Sequence, residues 1–342
     1  MADAINSEVT SGPLTGIASI VWQAMAEHTP RDLTWPILLL TVLIATGIWW
    51  LRDGMGAKSA SGRVQRCGLL QFLLPREIYT HVSARVDIAL YVFERVLRPL
   101  WVPTFLVSVA PATERMTIAA LNSALGSSPG LESNLPWMLL YSLVTLLLYD
   151  LIFYLIHYTE HKTPALWAIH KIHHSAEVLT PLTRYREHFL EGPLYAVGAA
   201  AAYGLAGGLF GWLFAGNIVP ATLFNLGFFA LVLGFNGSFR HYHVAFHYPQ
   251  WLSRWLHSPV MHHIHHSYLE QHRDKNLAAV TSIWDRLFGT LYIPYRDEYT
   301  PWGLEPGTQA ENRSFLDNTL APFRDWLAMW RERRYLRRAI IR

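Results

Sequence analysis

Apolar residues in this chain gather in long unbroken runs, with the polar residues set between them. A bilayer core about 30 Å thick calls for about 20 apolar residues in helical form. TWPILLLTVLIATGIWWL (34–51) is uncharged and carries Trp35, Trp49 and Trp50 near its ends, where membrane interfaces favour tryptophan. LPWMLLYSLVTLLLYDLIFYLI (135–156) is equally apolar apart from Asp150. The run 194–235 is long enough for a two-span hairpin, broken at Ala215-Gly216-Asn217, and its glycines and alanines suit close helix packing in lipid. DIALYVFERVLRPLWVPTFLVSVA (87–110) is interrupted by Glu94, Arg95 and Arg98 and reads as part span, part interfacial helix. The pattern predicts an all-α integral membrane bundle of about four or five spans.

Loop cations set the expected orientation. Residues 52–85 hold Arg52, Lys58, Arg63, Arg66, Arg76 and Arg85, whereas residues 1–32 hold only Arg31 and the expected loop 111–134 only Arg115. Positive loops stay in the cytoplasm. Residues 157–193 and 237–342 then face the same side, as a cytosolic, histidine-rich helical cap; in a bacterium the membrane would be the inner, plasma membrane. Three regions follow: a membrane-anchoring part (1–134), a histidine-rich part (135–295) that includes the hairpin 194–235, and a basic tail (296–342).

Composition agrees. Only 15% of residues are charged against 51% hydrophobic, well below the roughly 25% charged of soluble domains. The N-terminus, MADAINSEVTSGPL, lacks the basic region of a signal peptide and is expected to be retained. With Cys67 the only cysteine, a disulfide framework, zinc ribbon or iron–sulfur cluster within the chain is excluded. A net charge of +3 gives no case for nucleic acid.

Chemistry concentrates after the 135–156 run. Asp150, Tyr154, His157 and His161 are spaced to share one helix face if the helix continues. His170, His173 and His174 form an H-x-x-H-H box, and the form returns at His262, His265 and His266. In each box the outer histidines share a face and the adjacent pair can serve two neighbouring sites. His188 stands between the boxes, as do His241, His243 and His247. Clusters of imidazole without cysteine suit iron, zinc, copper or nickel, and burying so many imidazoles without a metal would leave many polar atoms to satisfy. Asp150 is costly in lipid and is a candidate to orient a ligand histidine; Tyr154 and Asp285 are further candidates behind the ligands.

These boxes, with His188-Phe-Leu-Glu191, Trp284-Asp285 and Phe288-Gly289-Thr290, resemble the membrane-bound fatty acid hydroxylase/sterol desaturase superfamily over about residues 135–295. Phe189 stands where that family commonly has proline, and His243, His247 and His263 are surplus to its pattern. The resemblance implies a di-iron centre under the membrane that activates O2 and hydroxylates or desaturates an unactivated C–H bond of a lipid. It implies as metal ligands His157, His161, His170, His173, His174, His188, His241, His262, His265 and His266, two iron ions that zinc can replace on isolation, and a separate electron donor, ferredoxin or cytochrome b5 with its reductase. The chain has no G-x-G-x-x-G fingerprint of its own for a dinucleotide.

Two other classes compete. His157-Tyr-Thr-Glu160-His161 fits the H-x-x-E-H form of a zinc peptidase, although that leaves both H-x-x-H-H boxes unexplained. A metal carrier would place its ligands inside the spans, and here they follow them. Trp137, Tyr141, Phe153, Tyr195 and Phe235 are candidates to line a substrate pocket. The tail RDWLAMWRERRYLRRAIIR (324–342) suits a basic helix lying either on anionic lipid or on the cap, and GIASIVWQAMA (16–26) an amphipathic helix.

Overall fold

The computed structural model describes residues 35–51, 68–219, 239–295, 298 and 300–340; the predicted helix at 16–26 and the second half of the 194–235 hairpin lie outside them. The described residues are helical with no strand. The principal helices are α1 (Trp35–Trp49), α2 (Val82–Leu125), α3 (Leu135–Lys162), α4 (Pro164–His174), α5 (Glu191–Leu213), α6 (Pro259–His265), α7 (Ile283–Leu287) and α8 (Phe315–Ile340). Of these, α3 and α5 are long and apolar enough to cross a membrane.

Helix α2 departs from expectation. Residues 111–125, expected as an outer loop, continue the helix, which runs for 44 residues, about 66 Å at about 1.5 Å per residue. Its starting cap is His81, whose Nδ1 accepts from Ser83 N, and it ends at Gly126, where φ is 87°. Pro99, Pro103 and Pro111 each remove a helical hydrogen bond, but α5 lies closely along the later part of α2. A Cβ on Gly204 would come within 2.5 Å of Ala110 O, and one on Gly208 within 2.5 Å of Thr117 Cβ. This close approach holds the helix across Pro111, and the alanine-rich stretch that follows favours helix intrinsically.

Helix α3 begins at Asn134, whose side chain accepts from Trp137 N at 3.1 Å, and Thr163-Pro164 turns the chain directly into α4. Proline at the first position suits a helix start because its missing N–H is not needed there. Asp150, Tyr154, His157 and Glu160 are all buried on α3. The segment between α4 and α5 is pinned to α2 by a buried ion pair. Arg186 Nη1 donates to Asp87 Oδ1 at 2.9 Å, while its Nε donates to Ile172 O at the end of α4.

Candidate metal centre

Helical periodicity brings nine histidines into two adjoining groups. His157, His161, His170, His174 and His265 form the first; His173, His241, His262 and His266 form the second. Within each group, ligand-capable atoms lie within 4.8 Å of one another. The boxes interleave. His170 and His174, one turn apart on α4, enter the first group, and His173 turns to the second. From the α6 box, His262 and His266 enter the second group and His265 the first.

Hydrogen bonds behind the first group fix which nitrogen faces inward. His157 Nδ1 lies 2.7 Å from Leu277 O and His265 Nδ1 2.9 Å from Lys275 O. His170 Nδ1 lies 2.7 Å from Glu191 Oε1, and His161 Nδ1 3.2 Å from Asp274 Oδ1. A carbonyl oxygen only accepts, so His157 and His265 carry their proton on Nδ1 and present a lone pair at Nε2; Glu191 and Asp274, when ionised, hold His170 and His161 the same way. Yet His157 Nε2 and His170 Nε2 are 3.0 Å apart, and His174 Nε2 is 3.1 Å from His170 Nε2. Lone pairs brought this close inside a protein repel unless a cation sits among them. The buried Nε2 atoms of His161 and His265 have no hydrogen-bond partner. In the second group, Nε2 of His241 lies 3.2 Å from that of His173 and 2.9 Å from that of His262, which is 3.1 Å from that of His266. The donor set therefore fits two transition-metal ions.

Burial keeps the imidazoles neutral, as metal ligation requires. Desolvation holds His170, His174, His241, His262, His265 and His266 well below the usual histidine range, and neighbouring imidazoles add to the effect. His173 is lowered to about 3, again chiefly by burial.

Two aspartates act one bond removed from the histidines. Asp285 accepts from the amides of Leu277 and Ala278, and Asp150 from those of Ala279, Val280 and Thr281. Five successive backbone N–H groups are thus held by two buried carboxylates, which aims Leu277 O at His157. The expectation that Asp150 orients a ligand histidine directly is corrected: it binds backbone. Tyr154 packs its ring on Phe288 and its hydroxyl lies 3.0 Å from Thr290 Oγ1, which also donates to Asp285.

His188 joins neither group. Its Nε2 lies 3.1 Å from Thr319 O on α8, and its ring packs on Phe189 and Phe323. His243 Nε2 reaches Phe72 O and His263 Nε2 reaches Phe239 O, both outside the groups. The acid three residues beyond His188 is what reaches the site. Glu191 bonds His170, and Glu160 approaches the same Nδ1 at 3.5 Å while accepting from the Tyr195 hydroxyl at 2.6 Å. Glu160 thus stands behind His170, away from the Nε2 side, and not where a peptidase base would meet a metal-bound water. Glu191 carried a signal in the H-x-x-E element; the part played by Glu160 depends on a contact with α5 that no local spacing encodes.

Beside the first group, a small cavity of about 10 Å³ between α3 and α5, room for about one water, is lined by Tyr149, Ile152, Phe153, Ile156, Tyr195 and Ala199. Phe153 meets His157 edge-on at 5.7 Å. Two of the expected pocket residues, Phe153 and Tyr195, are here. Trp137 and Tyr141 instead pack on Phe214 and Phe210 at the other end of α3, and Phe235 lies outside the described residues.

No curated protein and no solved structure matches the chain. Residues 142–290 match the fatty acid hydroxylase family, a stretch that begins within α3, holds all nine grouped histidines and closes at Thr290. Over that region the chain is similar to the fatty acid hydroxylase family, which supports the fatty acid hydroxylase/sterol desaturase superfamily.

Proposed function

We propose that the protein is a membrane-bound, O2-dependent two-metal oxygenase that hydroxylates an unactivated C–H bond of a lipid. The observation that carries this reading is the convergence of nine histidines, eight of them buried, into two adjoining groups at the end of an apolar helix. His157, His161, His170, His174 and His265 would hold one ion and His173, His241, His262 and His266 the other. Iron bound there supplies the redox chemistry that lets O2 oxidise a C–H bond. The overall change is RH + O2 + two electrons + two protons to ROH + H2O.

The chain's own residues do the rest. Leu277 O, Lys275 O, Glu191 and Asp274 hold the imidazoles of the first group in the ligating tautomer. Phe153, Ile152 and Ile156 present an apolar wall beside the first group that favours a hydrocarbon over water there. A lipid is favoured over a soluble metabolite because the cavity there lies between two helices fit to span a bilayer. Active-site histidines on the cytoplasmic side would let a soluble or membrane-bound electron donor, such as ferredoxin or cytochrome b5 with its reductase, dock on the cap. The single cysteine leaves no cluster of the chain's own to carry electrons.

The test is comparative lipid mass spectrometry of cells expressing the protein or its His173→Ala variant, with oxygen and donor supplied. A gain of about 16 mass units in one lipid class identifies hydroxylation, and a loss of about 2 identifies desaturation. Identical lipid profiles would overturn the assignment for every lipid present in that host.

A further inference from the structure

Helix α8 is built the wrong way round for a soluble protein. Its face toward the rest of the molecule carries Asn318, Ala321, Pro322 and Asp325: Asn318 is fully buried and bonds Ser175 Oγ and Asn312 O, and Asp325 pairs with Lys171. Its outward face carries Leu316, Leu320, Phe323, Leu327 and Trp330, each between 43% and 64% exposed. At about 100° per residue these five fall within a stripe about 80° wide, directly opposite the packed face. Isolated exposed leucines are ordinary, but an unbroken apolar stripe over four turns is not.

Charge and continuity identify what covers it. Arg324, Arg331 and Arg334 are exposed in or along one edge of the stripe, Arg333 lies toward the other, and the Arg334 guanidinium sits 4.5 Å over the Trp330 ring. Arginines flanking an apolar stripe can extend to lipid head groups while their stems stay in apolar surroundings, and tryptophan favours the same depth. The stripe does not end at α8. Phe323 packs on Phe189, Phe189 on Phe93, and Phe93 on Phe315, so the apolar surface runs on to the start of α5 and to α2, where Val92 and Val96 are exposed.

We propose that α8 lies in the plane of the membrane surface, with the Leu316-to-Trp330 stripe sunk among the lipids and its arginines on anionic head groups. The inference rests on the chain being embedded by α3 and α5, and is independent of the metal chemistry. Such helices bury their apolar face about 5–10 Å into the boundary and are strengthened by anionic lipid.

Spin labels on single cysteines test it in the full chain, reconstituted in nanodiscs of phosphatidylcholine mixed with phosphatidylglycerol. With Cys67→Ser as background, the sites are Leu320→Cys, Leu327→Cys, Glu332→Cys on the other side of the helix, and Leu143→Cys, exposed on α3. The expected result is that labels at 320 and 327 collide preferentially with oxygen, as at 143, whereas the label at 332 collides with a water-soluble nickel chelate. Nickel access at 320 and 327 equal to that at 332 would make α8 a solvated helix and overturn the proposal, and shielding from both reagents would mean that protein covers the stripe, which also overturns it. Nickel access at 143 itself would show that α3 does not span, a separate failure. Replacing phosphatidylglycerol with phosphatidylcholine, or the combined changes Arg324→Glu, Arg331→Glu and Arg334→Glu, is expected to shift the 327 label toward nickel; no shift would remove the anionic-lipid element.

Discussion

His170 Nδ1 lies 2.7 Å from the Glu191 carboxylate while its Nε2 lies 3.0 Å from His157 Nε2, so one imidazole links a buried acid at the start of α5 to the heart of the first histidine group. Removing the acid frees the ring to rotate or to take the other tautomer. Glu191→Ala is expected to weaken metal binding at the first group by about 10–100-fold, with Glu191→Gln intermediate, because contacts behind a ligand typically carry that much affinity. Metal titration of purified variants reads this directly, and affinity unchanged in Glu191→Ala would count against the contact's importance.

Graded removal of metal should distinguish the groups. Four of the five imidazoles in the first have a protein acceptor on Nδ1. In the second, Nδ1 of His173, His241, His262 and His266 has no hydrogen-bond partner, although the Arg186 backbone comes near His173. The second ion is therefore expected to leave first under chelation, giving a plateau near about one ion per chain. Loss of both in one step, or a retained ion that His241→Ala abolishes, would contradict the asymmetry.

Asp285→Ala leaves the amides of Leu277 and Ala278 and the Thr290 hydroxyl without their acceptor. At about 1–3 kcal/mol for each buried group left unpaired, a loss of about 3 kcal/mol or more is expected. Burial pushes this carboxyl up from 3.8 to about 6. A raised pKa means that the stability it confers is complete below about 3.8 and is lost as pH rises through about 6. The advantage of the metal-free wild type over Asp285→Asn in thermal midpoint should therefore shrink as pH rises across that window; a constant difference would show that the carboxyl does not titrate there.

Arg186→Met strands Asp87 as a buried charge and releases Ile172 O and Ser175 from their donor. A cost of about 3–5 kcal/mol is expected for breaking such a pair. Arg186→Lys should recover only part of it, since an ammonium cannot reach Ile172, Ser175 and Asp87 in the same fork. Thermal unfolding in detergent measures both, and a Lys variant as stable as the wild type would show that charge alone matters.

The grouping of the histidines was legible because helical spacing records it: His157 with His161, His170 with His174 and His262 with His266 are each one turn apart, and side chains on one face can meet at one place. His188 was expected from the resemblance and not from spacing; it stands in neither group, since it precedes α5 by three residues and its ring is turned toward α8. The tasks of Asp150 and Asp285 were illegible for a different reason. Asp150 captures amides 129–131 residues away in sequence, and no periodicity records a side chain that binds distant backbone. In the long helix α2, residues 111–125 read as a loop, whereas the glycine face of α5 that packs along them is tertiary and leaves no local signal there.

The interleaving of the two boxes makes each metal ion a cross-link. His174 and His265 stand about ninety residues apart in the chain yet share one group, as do His173 and His262. An ion in either group closes a long loop, and long loops are where closure restricts an unfolded chain most. The binding energy of each ion is then also folding energy, spent on fastening α4 to α6, with the first ion fastening α3 as well. Without it, the Nε2 atoms of His157 on α3 and His170 on α4 stand 3.0 Å apart. Metal in both groups would thus lock segments about ninety residues apart into one unit, so metal loading and thermal stability should rise together.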